Sequence, residues 1–97
     1  MLNVAIVIPL YQELISSYEE IALQQCYSVL GNYTIIFVCP KKMEFGKFYK
    51  ENNQSVFFVF LENDNFESII TYNKMLLSVW FYELFSSYNY ILIYQLD

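Results

Sequence analysis

The segment Pro9-Leu10-Tyr11-Gln12-Glu13 and the residue Asp97 are where side-chain type and position in this chain suggest ligand chemistry. Tyr11 can stack on a base or a sugar, and Glu13 can accept hydrogen bonds from ribose hydroxyls. The structural alternative is that Tyr11 packs on a sheet edge and Glu13 is solvated near a helix N-terminus. The segment has no glycine, so neither a dinucleotide fingerprint nor a P-loop is available to wrap phosphates with backbone amides. Asp97 follows the apolar run Tyr90-Ile91-Leu92-Ile93-Tyr94-Gln95-Leu96. A carboxylate at the tip of such a strand is placed to bind a hard cation, Mg²⁺ or Mn²⁺, that bridges to a diphosphate. Strand ends also finish in aspartates that are merely solvated, and one carboxylate does not make a site.

Two further positions carry polar chemistry. Asn73 falls on the apolar stripe of a helix, so its amide either bonds to neighbouring backbone or points into a crevice. Lys41 and Lys42 follow a strand and can meet phosphate or stay solvated.

Composition removes other chemistries. The 97 residues carry ten acidic side chains, five lysines and no arginine or histidine, a net charge of −5. Without histidine there is no histidine-based triad, no imidazole acid or base, and no zinc site of the Cys/His kind. Five scattered lysines on an acidic chain argue against a nucleic-acid surface, although 21% of the residues are aromatic. Cys26 and Cys39 read as reduced, buried thiols, with a disulfide or a reactive thiol as the alternative. The chain is 57% apolar and 15% charged. It is therefore not disordered, and it has more apolar surface than a small domain buries easily.

The elements that must position these residues alternate between short β-branched runs and helical patterns. Residues 3–8, 33–39, 55–61 and 90–96 read as strands, the first two stopped by Pro9 and Pro40. Ser16 with Glu19, and Ser17 with Glu20, are overlapping capping boxes. They precede a helix whose stripe is Tyr18, Ile21, Ala22, Cys26, Val29 and Leu30, with Gly31 at its C-terminal cap. A short helix over 44–50 carries Phe45, Phe48 and Tyr49 on one side, weakened by Gly46. Asp64 with Glu67 predicts the start of a long helix to about residue 86. Phe66, Ile69, Ile70, Asn73, Leu77, Trp80, Phe81 and Leu84 fall near one face of it. The alternation predicts an α/β fold, a doubly wound, mainly parallel four-stranded sheet in the order 3-2-1-4 flanked by helices. The first and fourth strand tips then adjoin, where open α/β sheets bind ligands. No apolar run is long enough to span a bilayer, and no signal peptide is evident, which predicts a cytoplasmic chain. The fourth strand, at the sheet edge, is a candidate for self-association.

The opening Val4-Ala5-Ile6-Val7-Ile8-Pro9-Leu10-Tyr11-Gln12-Glu13, hydrophobics followed by Pro-x-Tyr-x-Glu, resembles the first-strand signature of GT-A nucleotide-sugar glycosyltransferases. The stretch from Tyr72-Asn73-Lys74 to Tyr94-Gln95-Leu96-Asp97 is similar to that fold's helix and metal-site strand. Gln25-Cys26, Ile35-Ile36-Phe37-Val38-Cys39-Pro40-Lys41 and Tyr94-Gln95-Leu96-Asp97 resemble the start of an uncharacterised bacterial family, a glycosyltransferase-like domain of unknown function. The resemblance implies that residues 1–97 are one incomplete domain, the Rossmann-like donor half. Pro9, Tyr11, Glu13 and Asn73 would contact the nucleotide, and Asp97 would be the first carboxylate of an Asp-x-Asp motif holding Mg²⁺ or Mn²⁺. The implied partners are a nucleotide-sugar donor and a glycan acceptor in surface-polysaccharide assembly. The chain departs from the pattern at Cys39-Pro40-Lys41, where relatives place an acidic residue that reads the base. With no second metal carboxylate and no acceptor half, it is expected to be inactive alone.

Overall fold

The computed structural model describes residues 3–12, 16–52 and 56–96. Four strands, β1 (Val4–Pro9), β2 (Thr34–Pro40), β3 (Phe57–Leu61) and β4 (Tyr90–Ile93), form one sheet in the order β3-β2-β1-β4. Every pairing is parallel, with Ile6 opposite Ile35 on one side and Leu92 on the other. The predicted order and class hold. Parallel strands buried on both faces read as unbroken apolar runs, and residues 5–10 and 35–40 are all buried.

Alternation along β1 divides the core. Ile6 and Ile8 face a layer made by α1 (Ser17–Leu30) and α2 (Lys47–Asn52). Ala5 and Val7 face the opposite layer, α3 (Ile69–Leu76) and α4 (Val79–Glu83).

The Ser16–Glu19 capping box forms, with both hydrogen bonds at 3.1 Å, while Ser17 is already helical. The buried stripe of α1 is turned from the predicted one. Leu23 and Cys26 are buried and Ala22, Tyr27 and Leu30 are half-buried, whereas Tyr18, Ile21 and Val29 are exposed. Apolar residues occur all round this helix, so several stripes satisfy the helical period, and the sheet selects one. Gly31 occupies the C-cap with a right-handed backbone, φ −64°. A Cβ there would lie 2.3 Å from the Tyr27 carbonyl oxygen, so close approach and not left-handed geometry calls for glycine.

The predicted helix over 44–50 forms but starts later, as α2 from Lys47, after a 3₁₀ turn at Lys41–Met43. Met43 and Phe48 are buried and Phe45 is exposed. Phe48 meets Phe37 edge-on at 5.2 Å, and Phe37 stacks on Phe58 at 5.4 Å.

The predicted long helix is broken into three pieces. Asn63–Phe66 is a 3₁₀ turn in which Asn65 Nδ2 donates to the Glu62 carbonyl, a local bond that competes with helix. The capping box that forms is Ser68 with Thr71, not Asp64 with Glu67. After α3 the Ser78 hydroxyl bonds back to the Lys74 carbonyl, and α4 restarts. The break has a geometric purpose. Met75 and Phe81 are both buried against the sheet, yet positions six apart on one helix differ by about 240°. Of the predicted face Phe81 is buried, but Ile69, Ile70, Leu77, Trp80 and Leu84 are exposed, and Met75 and Phe85, not on that face, are buried.

Candidate functional site

The C-terminal tips of β1 and β4 lie side by side, as their register requires. The Leu10 amide bonds to the Val38 carbonyl at 2.9 Å, extending the pairing of β1 and bringing Tyr11 out at the sheet edge. On the neighbouring strand the Tyr94 amide bonds to Val7 at 2.9 Å. The Tyr94 hydroxyl donates to the Ala22 carbonyl of α1 at 3.2 Å. That pair of bonds fixes the exit of β4. Leu96 then turns into the core beneath α1, while Gln95 stays exposed between the two strand tips.

The segment that begins α3 forms the opposite wall. Phe66, Glu67, Ser68 and Ile69, with Tyr72 and Asn73 one turn later, line a cavity of about 380 Å³ shared with Tyr11 and Gln95. That volume is within the range of small-molecule sites. Tyr72 is the central ring, 6.4 Å from Tyr11 at 61° and 6.5 Å from Phe66 at 51°. None of the five lysines lines the cavity, and Glu67 is the one acidic residue among the described lining residues. The arrangement offers aromatic faces, two amides that both donate and accept, and one carboxylate. It can hold a ring with polar substituents.

Of the residues singled out in the sequence, Tyr11 and Asn73 meet in this cavity. Asn73 is exposed there and not buried on a stripe as its sequence position suggests. Pro9 is buried at the end of β1 and is not among the lining residues. Glu13 and Asp97 lie outside the described residues. Among the described residues no cluster of three or more acidic or cysteine side chains could hold a metal. The described lining gives a hard cation a single carboxylate, which does not fit a closed site for Mg²⁺ or Mn²⁺.

Lys41 and Lys42 lie elsewhere. Lys41 pairs with Glu62, whose carboxylate raises the lysine ammonium above its ordinary value, and the Lys42 amide donates to Asn63 at 3.0 Å. Cys26 and Cys39 are buried, with no disulfide between them, and burial pushes the Cys26 thiol up.

Phe66, Glu67, Tyr72 and Gln95 were not legible as site residues. Phe66 reads as part of the inner face of the long helix, Tyr72 has no assigned role, and Glu67 reads as a capping partner. One signal was present for Gln95: it is the sole amide in the apolar run from 90 to 96. No helix among the described residues is long and apolar enough to cross a membrane.

No curated protein and no solved structure matches the chain. A family model described as "Protein of unknown function (DUF5672)" matches residues 55–97, a stretch that holds every described lining residue of the cavity except Tyr11.

Proposed function

We propose that the cavity is the donor pocket of a glycosyltransferase-like domain that binds a nucleotide sugar; the Mg²⁺ or Mn²⁺ that would accompany it, with Asp97 as a ligand, follows from the resemblance alone. One observation carries this reading: Tyr11 and Asn73, two residues that the resemblance assigns to the donor, line one cavity at the switch point of the sheet. That is where open α/β sheets bind ligands. The glycan acceptor, and a setting in surface-polysaccharide assembly, follow from the resemblance alone. Calorimetric titration with UDP, GDP and CDP in the presence of Mn²⁺ tests the proposal. Binding of one nucleotide in preference to the others is the expected result. A folded sample that takes up none of them at millimolar concentration would refute it.

A second reading is favoured by β4. The Tyr90 and Tyr94 amides both point at β1, so strand alternation directs the Ile91 and Ile93 amides to the open edge. Leu92 and Tyr90 are exposed beside them. Such an edge supports an interaction module that pairs with a second copy. Sedimentation at tens of micromolar tests it, and a clean monomer would remove it.

A further inference from the structure

The cavity at the strand tips has an electrical character that its position alone does not predict. Two features that usually attract an anion are missing or partly used, and a third group repels one. None of the chain's five lysines reaches the lining. The α3 N-terminus, which offers amides to phosphate, is partly used: the Ser68 hydroxyl accepts from the Thr71 amide at 3.1 Å, and the Tyr72 amide bonds to the Ser68 carbonyl at 3.0 Å. Beside that cap, Glu67 is among the lining residues and adds a negative charge next to the positive end of the helix. What remains is chemistry for an uncharged ring. Tyr11, Phe66 and Tyr72 offer faces and edges for an apolar ring surface, and Asn73 and Gln95 offer paired donors and acceptors for its hydroxyl or amide groups.

We infer that the cavity seats the uncharged, hydroxylated ring of its ligand against Tyr72 and excludes phosphate, and that Glu67 is the residue that sets this selectivity. The inference rests on the donor-pocket reading only in taking the cavity as the ligand site. It places any phosphate outside the lining. A carboxylate within the lining accepts hydrogen bonds from hydroxyls, and it repels an anion that would have to shed its water to enter.

Two sources of such a ring are separable by titration in EDTA, which removes any metal bridge. One arm uses uridine, cytidine and guanosine; the other uses glucose and galactose. A third arm uses the 5′-monophosphate of each nucleoside. At least one uncharged ring is expected to bind, and the arm in which it does so identifies the source. The monophosphates are expected to bind at least about fivefold more weakly than the nucleosides, or not at all. Glu67→Gln should narrow that gap and Glu67→Lys should reverse it. Glu67 is exposed, and because each variant is judged by the ratio of two ligands, a change in its folded fraction cancels.

A monophosphate that binds as tightly as its nucleoside would overturn the inference, as would an unchanged ratio in Glu67→Lys, or no binding of any uncharged ring. The donor reading fails differently. Saturation by UDP with Mn²⁺ that no uncharged ring displaces would leave that reading standing and overturn this one. A ring that binds where no nucleotide does would have the opposite consequence.

Discussion

Along the C-terminal edge of the sheet, the β2–β3 half and the β1–β4 half end in opposite ways. Where β2 and β3 finish, at the paired Pro40 and Leu61, the chain bonds to itself: Lys41 to Glu62, Lys42 to Asn63, and Asn65 back to Glu62. Where β1 and β4 finish, Tyr11 comes to the surface, Leu96 turns beneath α1, and Gln95 lies between them. The difference follows from connectivity. The crossovers from β1 and β2 use one face of the sheet, and the connection from β3 to β4 uses the other. The chain therefore parts only between β1 and β4. Polar groups at the closed end satisfy one another, while Asn73 and Gln95 at the open end line the cavity.

The strongest way to break this contrast is to remove what holds the open wall. Phe81 is fully buried under α4, and Phe81→Ala should cost about 3–5 kcal/mol. Guanidinium denaturation would reveal it, and a loss under about 1 kcal/mol would show that the α3–α4 layer is not anchored there. Next is the cap that shapes the cavity mouth. Ser68→Ala should cost about 1 kcal/mol, read from the same denaturation midpoint.

Alkaline pH gives a smaller effect, through α1. Burial raises the Cys26 thiol, and burial followed by Cys26 raises Tyr27. A raised folded value holds the proton more tightly in the native state, so the associated stability is complete below the unfolded value and declines as pH rises. The decline should begin near 9.0, the ordinary thiol value, and Cys26→Ala should flatten its first part. A denaturation midpoint constant from pH 8 to 10.5 would contradict it. The smallest effect is expected at the closed end's own ion pair. Lys41 and Glu62 are 54% and 71% exposed, and solvated pairs of this kind contribute little. Lys41→Met should leave the midpoint unchanged within error; a clear drop would show that the closed end depends on this pair.

The strands were legible because burial on both faces removes polar residues from β1 and β2 and a proline marks each end; their order came from the rule of right-handed crossovers and the common doubly wound arrangement, not from the residues themselves. The helices were legible in number on one face only. In α1, Tyr18, Ile21 and Val29 are as apolar as the residues that are buried, so periodicity could not choose the inner face. In the second layer the competition between two capping boxes was settled by Ser68 and Thr71. A separate break at Leu77 and Ser78, where the Ser78 hydroxyl bonds back to Lys74, puts Met75 and Phe81 in phase with the sheet. Tyr11 could be placed at the strand tip because it follows β1 directly. Tyr72 could not, since an aromatic on a helix facing a sheet reads as core until the register of that helix is known.

The pairing of β1 with β4 also governs when the fold can exist during synthesis. Asn3 and Asn89, which bond at the base of these strands, are 86 residues apart. At about 5–20 residues per second, a ribosome takes roughly 4–17 s to travel that distance. Until β4 emerges, β1 has at most β2 on one flank and an open apolar ladder on the other, so the nascent chain carries an adhesive edge for that time.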